Sequence, residues 1–446
     1  MLIDSSGLPK VKDSVTKKIL LGNEPNPELI AILAVYFVQG ILGLARLAVS
    51  FFLKDELHLS PVEVSALLGI VALPWMIKPL FGFISDGLPI FGYRRRPYLL
   101  LSGILGAAAW VSMSTIVNNS WSATIAIALS SLSVAFSDVI VDSLVVERAR
   151  GESHSKAGSL QSLCWGFTAL GGLITAYFSG LLLEYFTTRT VFLITALFPL
   201  IISLVAWLIN ETPVNKDSQF HQENNILTIK NQLKQLRQAF TQEAIWLPTL
   251  FIFIWQSTPS GEAAFFYFFT NELHFQPEFL GRVHLVTSLA SLIGIWIFQR
   301  FLKTVPFRTI CGWSILISAV LRMTILLLVT HANRTLGIDD QWFSLGDSLI
   351  LAVMGQIAFM PVMVLAARIC PLGIEATLFA LLMSIFNLGG AISRESGALI
   401  MHWLGITETN FDALWLLVII TNSIALLPLI FIKILPDKEE AKIITG

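Results

Sequence analysis

Residues 136–172 read FSDVIVDSLVVERARGESHSKAGSLQSLCWGFTALGG. An apolar run carrying Asp138 and Asp142 ends in a charged stretch from Glu147 to Lys156, and a second apolar run then begins. The pattern predicts the end of one membrane helix, a charged turn and the start of the next. A weak copy lies 218 residues later. Arg150 falls on Arg368, Leu170 on Leu388, Gly171 on Gly389 and Gly172 on Gly390, while Asp138 falls on Gln356 and Asp142 on Met360. A shared frame with exchanged polar positions points to a duplicated half whose two copies took different chemical roles.

The rest of the chain fits a membrane solvent. Its 446 residues are 55% hydrophobic and 13% charged, about half the charge of a soluble domain. Three cysteines, Cys164, Cys311 and Cys370, sit in or beside apolar segments and form neither a paired framework nor a metal spacing. The first 28 residues are polar, hold four lysines and lack the short apolar core of a secretory signal. They are also poor in Arg and Ser, unlike an organelle transit peptide.

A bilayer core needs about 20 apolar residues in a helix. Twelve segments meet that length, near 29–53, 61–84, 97–117, 121–147, 157–183, 190–210, 246–270, 278–300, 307–330, 344–368, 374–402 and 412–435. The expected organisation is a tail over 1–28, a six-helix bundle over 29–210, a linker over 211–245, a second six-helix bundle over 246–435 and a tail over 436–446. With both termini cytoplasmic, the tails and the loops on that side hold 21 of the 29 Lys and Arg. The opposite loops hold Lys54, Arg189, Arg282 and Arg334, and Arg46, Lys78, Arg322 and Arg394 lie within segments. That asymmetry sets the orientation. In the linker, Ile226, Ile229, Leu233, Leu236 and Phe240 recur at helical spacing between basic residues, which predicts an amphipathic helix on the membrane surface. An all-α protein of two parallel six-helix repeats follows the plan of major facilitator transporters, with binding near the midplane between the halves.

The loop between segments 2 and 3 carries Gly82-Phe-Ile-Ser-Asp86 and then Gly92-Tyr-Arg94-Arg95-Arg96-Pro97. It looks like the facilitator loop motif, with a longer spacer. Gly82, Asp86, Arg94 and Arg95, with Lys78, are read as a gate and topology anchor, and the matching loop from Arg300 to Arg308 lacks the aspartate.

Charges inside a membrane are costly and point to function. Arg46, Glu262 and Arg394 fall on one side of their segment midpoints, and Arg46 and Glu262 occupy equivalent segments. Two readings stand: an ion pair closing the outer gate, or an anion site on Arg46 and Arg394 with Glu262 titrating. Asp138 and Asp142 share a helix face at i, i+4. Two such carboxylates do not both ionise cheaply, which suits proton coupling. Lys78, at similar depth, is expected to neutralise Asp142, leaving Asp138 without an obvious partner. Gln39, Gln161, Gln256 and Gln356 complete the polar lining, and Trp165 and Trp255 offer flat faces to a planar ligand. Pro74, Pro259 and Pro361 are expected to kink their segments. The run Thr258-Pro259-Ser260-Gly261-Glu262 reads as a broken helix.

With these residues in view, the chain resembles the folate-biopterin transporter family of the major facilitator superfamily. The most specific stretches are KPLFGFISDGLPIFGYRRRPY over 78–98 and SDVIVDSLVVERAR over 137–150. NLGGAISRESGALI over 387–400 adds less. The resemblance implies secondary transport of folates or pterins across the plasma (inner) membrane of a bacterium by alternating access, with protons as the candidate coupling ion. It implies a small-molecule substrate and a lipid bilayer as partners, with no cofactor, no metal and no nucleic acid, and the chain is expected to be a monomer. For that ligand class Asp138 would accept the parallel N–H donors of a pterin ring, and Arg46 and Arg394 the carboxylates of a glutamate tail. Folate and biopterin preference stays open. Two alternatives also stay open: a sugar or other organic-solute cation symporter of the same fold, and a pterin-binding receptor that does not transport. An enzyme is not expected, because no nucleophile–base pair or phosphate loop stands out.

Overall fold

In a computed structural model of the chain, residues 20, 25–149, 154–213, 241–302, 305–368 and 375–435 are described. The expected amphipathic linker helix, both tails and Cys370 lie outside them. Among the described residues the protein is built of helices. The first half contains α1 (Pro27–Ile41), α2 (Leu44–Phe51), α3 (Pro61–Val71), α4 (Leu73–Met76), α5 (Lys78–Gly87), α6 (Arg96–Thr115), α7 (Ser120–Ala149), α8 (His154–Tyr185) and α9 (Thr188–Val205). The second half contains α10 (Glu243–Gln256), α11 (Glu262–Tyr267), α12 (Pro277–Ile297), α13 (Phe307–Arg322), α14 (Ile325–Val329), α15 (Ala332–Thr335), α16 (Asp340–Arg368), α17 (Glu375–Trp403) and α18 (Leu414–Ile424).

The sequence writes the helix starts and the breaks. Asn26 accepts the Leu29 amide at 2.7 Å and Pro27 follows, so α1 starts on a capped turn. Ser60 and Glu63 form a capping box ahead of Pro61 at the start of α3. Pro74 and Pro79 lack the N–H that a continuous helix needs, and the second span is divided into α3, α4 and α5. Pro361, by contrast, lies inside an uninterrupted α16.

Ten helical stretches are long and apolar enough to cross a membrane, which makes this a multi-pass membrane protein. Two expected segments are not among the ten. The seventh is interrupted at Ser257–Gly261, leaving α10 and the short α11. The eleventh is α17, a 29-residue helix carrying the polar run Ser393-Arg394-Glu395-Ser396.

Residues 52–61, FLKDELHLSP, and residues 268–277, FFTNELHFQP, share Phe, Glu-Leu-His and Pro at matching places. Their backbones also match. Each opens with a π-helical turn, Phe52–Glu56 and Phe268–Glu272, closed by Leu57 N to Phe52 O and Leu273 N to Phe268 O, both at 3.0 Å. Each then places a histidine in the left-handed region, His58 at φ 52° and His274 at φ 55°, where non-glycine residues are uncommon. The proline starts the next helix in both.

These two segments meet at one end of the bundle. Lys54 Nζ donates to Asn271 Oδ1 at 2.8 Å, and Asn271 Nδ2 donates to the Glu408 carbonyl at 2.7 Å. The Tyr267 hydroxyl donates to the Leu59 carbonyl. Leu47, Phe51, Phe275 and Leu280 are buried together beneath them. Along the seam α17 packs on α3, α4 and α5, while α8 packs on α12. This end is sealed by apolar contact and hydrogen bonds. At the other end lies the Gly82–Pro97 loop.

A polar cavity above the loop network

The loop motif is organised by one arginine. Arg95 is buried, and its guanidinium reaches Asp86 at 2.8 Å, Glu147 at 2.7 Å and Ser85 Oγ at 3.1 Å. Glu211, just past α9, accepts the backbone N–H groups of Arg94 at 2.5 Å and of Arg95 and Arg96 at 3.1 Å. A carboxylate at the α6 N-terminus meets the unpaired amides and the positive end of the helix dipole. Sequence reasoning found Asp86, Arg94 and Arg95 but missed Glu147 and Glu211. The signal for Glu147 was present in VVERAR: a glutamate at a helix end facing an arginine-rich loop. Gly82 lies against Val139, at the α5–α7 contact.

Lys78 does not join this network, and its direct ion pair is not with Asp142. Its ammonium pairs with Asp138 and lies 4.9 Å from the centre of the Trp75 ring. Asp138 is thus the paired carboxylate, contrary to the sequence expectation. Asp142 accepts the Tyr36 hydroxyl at 2.5 Å. The reason is rotational. Residues four apart share a face only within about 40°, and that offset aims Asp138 at α5 and Asp142 at α1. Asp142 is exposed although it lies deep along α7, whose main packing partners are α6, α5, α3 and α1.

The expected Arg46–Glu262 ion pair does not form among the described residues. Glu262 starts α11 and lines a cavity of about 760 Å³. His284 lines the same cavity, and the charges of Arg46 and Glu262 both act on it. Arg394 lies within reach of Glu262 and Glu395, and its Nε is buried without a hydrogen-bond partner. Gln39 Nε2 is in the same condition. Gln256 lines the cavity and packs against Gly389 and Gly390, where a larger residue would displace it. Trp255 lines it too, tilted against Phe386. Gln356 packs against Gly294 on α12. Trp165 is 59% exposed. The Gln161 side chain lies outside the described residues.

The cavity is lined mainly from the second half and extends between α13, α16 and α18. It contains groups the sequence analysis did not read as site residues: His284, Asp347, Asn422 and Arg322, the last noted only as a charge within a segment. The Thr324 hydroxyl donates to Asp347. Broken α10–α11 frees backbone beside the cavity, and Ser260 N donates to the Ser393 carbonyl at 3.0 Å in compensation. A space of about 760 Å³ with cations, carboxylates and amide donors suits a polar, anionic organic ligand.

Comparison with known proteins identifies the fold and the family. A crystal structure of a D-xylose-proton symporter superposes with a TM-score of 0.68 at 14% identity, over 93% of this chain and 98% of that one. A nucleoside transporter gives 0.68 at 13% identity, over 92% and 100%. The fold is that of these solved transporters. Among curated proteins, the folate-biopterin transporter of Synechocystis sp. is 61% identical over 426 residues, 96% of this chain and 85% of the relative. Folate transporter 2 of Plasmodium falciparum is 32% identical over 410 residues, 91% and 88%. The family model described as the BT1 family matches residues 39–445, and with relatives this similar across the chain, the protein belongs to the BT1 family.

Proposed function

We propose that the chain is a secondary transporter of folates or pterins that works by alternating access. The carrying observation is 61% identity across nearly the whole chain to a folate-biopterin transporter. In this reading twelve spans form two six-helix repeats, residues 29–210 and 246–435, with both termini cytoplasmic and the chain in the plasma membrane. The matched segments 52–61 and 268–277, with their shared π turns and left-handed histidines, support the repeat. The broken α10–α11 and the polar α17 are then the seventh and eleventh spans.

The sealed end holding Phe51 and Phe275 is the outer face, so the resting state opens inward. Asp138, Gln39, Gln256, Gln356, Gln161 and Trp165 line the route, and Arg46 and Arg394 supply positive charge for an anionic substrate. The buried and unpartnered donors Gln39 Nε2 and Arg394 Nε support this, since a buried donor without a partner costs about 1–3 kcal/mol. Asp138 engages the substrate ring by exchanging Lys78 for ring N–H donors. Asp142 and Glu262 are the candidate proton carriers.

The test is uptake of labelled folate and biopterin into proteoliposomes, with and without an inward proton gradient. Accumulation of either above equilibrium under the gradient supports the reading. Saturable binding with neither uptake nor counterflow makes the protein a receptor and ends it.

A further inference from the structure

Arg322 ends α13 inside the second-half cavity. No ion pair holds it among the described residues, and it lines the same cavity as Asp347. Arg394, by comparison, already faces Glu262 and Glu395. The C-terminal end of a helix favours a cation only weakly. An arginine within a membrane span costs more than that on insertion scales. The helix end alone therefore does not offset the charge.

The surroundings supply the rest of a binding site. Ser318 and Ser314 lie one and two turns before Arg322 on the same face and line the cavity. Ser318 Oγ is buried with no hydrogen-bond partner. Asp347 on α16 is held by Thr324 and keeps acceptor capacity toward the cavity. A fork of guanidinium donors beside a free hydroxyl matches a carboxylate. An acceptor across the same space matches an amide N–H.

We propose that Arg322, with Ser318, binds the carboxylate end of the substrate and so selects ligands ending in an N-acylated amino acid over tail-less pterins. This rests on the transport reading above and deepens it. Arg322 is the determinant of tail selectivity, and the cations near Glu262 are secondary to it because carboxylates already face them.

The test uses full-length protein in proteoliposomes with labelled folate, which has a glutamate tail, and labelled biopterin, which has none. Arg322→Gln should raise the KM for folate at least tenfold and change that for biopterin less than twofold. Arg322→Lys should fall between, since it keeps the charge and loses the fork. Ser318→Ala should weaken folate a few-fold. Thermal unfolding of each variant reports folding separately. Unchanged folate uptake in Arg322→Gln overturns the proposal, as does an equal loss for both substrates with normal unfolding. Wild-type protein that moves neither substrate overturns the transport reading and this inference with it.

Discussion

Lys78 closes on Asp138, while Asp142, four residues along the same helix, takes its hydrogen bond from Tyr36. The two carboxylates therefore have separate partners on separate helices. Removing one member of a fully buried ion pair costs about 3–5 kcal/mol. These side chains are 15% and 13% exposed, so the cost falls toward the lower figure. Asp138→Leu and Lys78→Met should each lower the unfolding temperature, and the double variant should recover most of the loss. If Asp138 also binds substrate, the double variant is stable but does not transport. Thermal unfolding and uptake measured on the same preparations separate pairing from binding.

Tyr36→Phe removes the donor to Asp142 and leaves the ring in place. The loss is one part-buried hydrogen bond, so stability should fall by ~1 kcal/mol. Transport should respond more. If Asp142 carries the coupled proton, gradient-driven uptake drops about tenfold while substrate exchange without a gradient persists. Equal loss of both activities would assign Tyr36 to binding instead.

Glu211 caps three amides at the start of α6, a role a neutral side chain fills poorly. Glu211→Ala should lower stability by about 1–2 kcal/mol, the range for a lost helix cap with its dipole contribution. Arg95→Lys should cost at least as much, because one ammonium does not reach Asp86, Glu147 and Ser85 together. Chemical denaturation in detergent would rank the two variants.

The membrane architecture was legible because lipid imposes a length rule and a charge rule that act residue by residue. The break at Thr258–Gly261 was legible for the same reason, since proline and glycine act locally. Partner choice was not. Lys78 has two carboxylates at similar depth, and a modest rotation of α7 decides between them. Arg322 was visible as a charge inside a segment, but its isolation depends on every helix around it. The match between residues 52–61 and 268–277 was available in the sequence. It lies at an offset of 216 residues, whereas the glycine pairs coincide at 218, so one fixed offset does not show both.

Asn271 links the two matched segments, accepting from Lys54 and donating to the Glu408 carbonyl. Asn271→Ala removes both bonds and should favour opening at this end. A change of one kcal/mol alters a two-state population about fivefold. A cysteine introduced as Leu280→Cys, at a position 7% exposed, reports the opening when Cys164, Cys311 and Cys370 are replaced by serine. Labelling by a membrane-impermeant maleimide should quicken about fivefold in Asn271→Ala. An unchanged rate would mean the apolar cluster alone holds the end shut.

That cluster closes only because two glycines let α8 and α12 meet backbone to backbone. A Cβ on Gly180 would stand 2.8 Å from Gly281 Cα, and one on Gly281 the same distance from Gly180 Cα. Backbone does not rotate aside as a long side chain does, so the helices must separate. Gly180→Val should therefore hold the sealed end open, with the Leu280→Cys reporter labelled at its maximal rate and uptake lost. Gly166→Val on the same helix is the matched control, since no atom lies within 4 Å of the added Cβ. It carries a similar helix-propensity change without the clash. If both variants lose uptake equally, the effect is on α8 itself and not on closure.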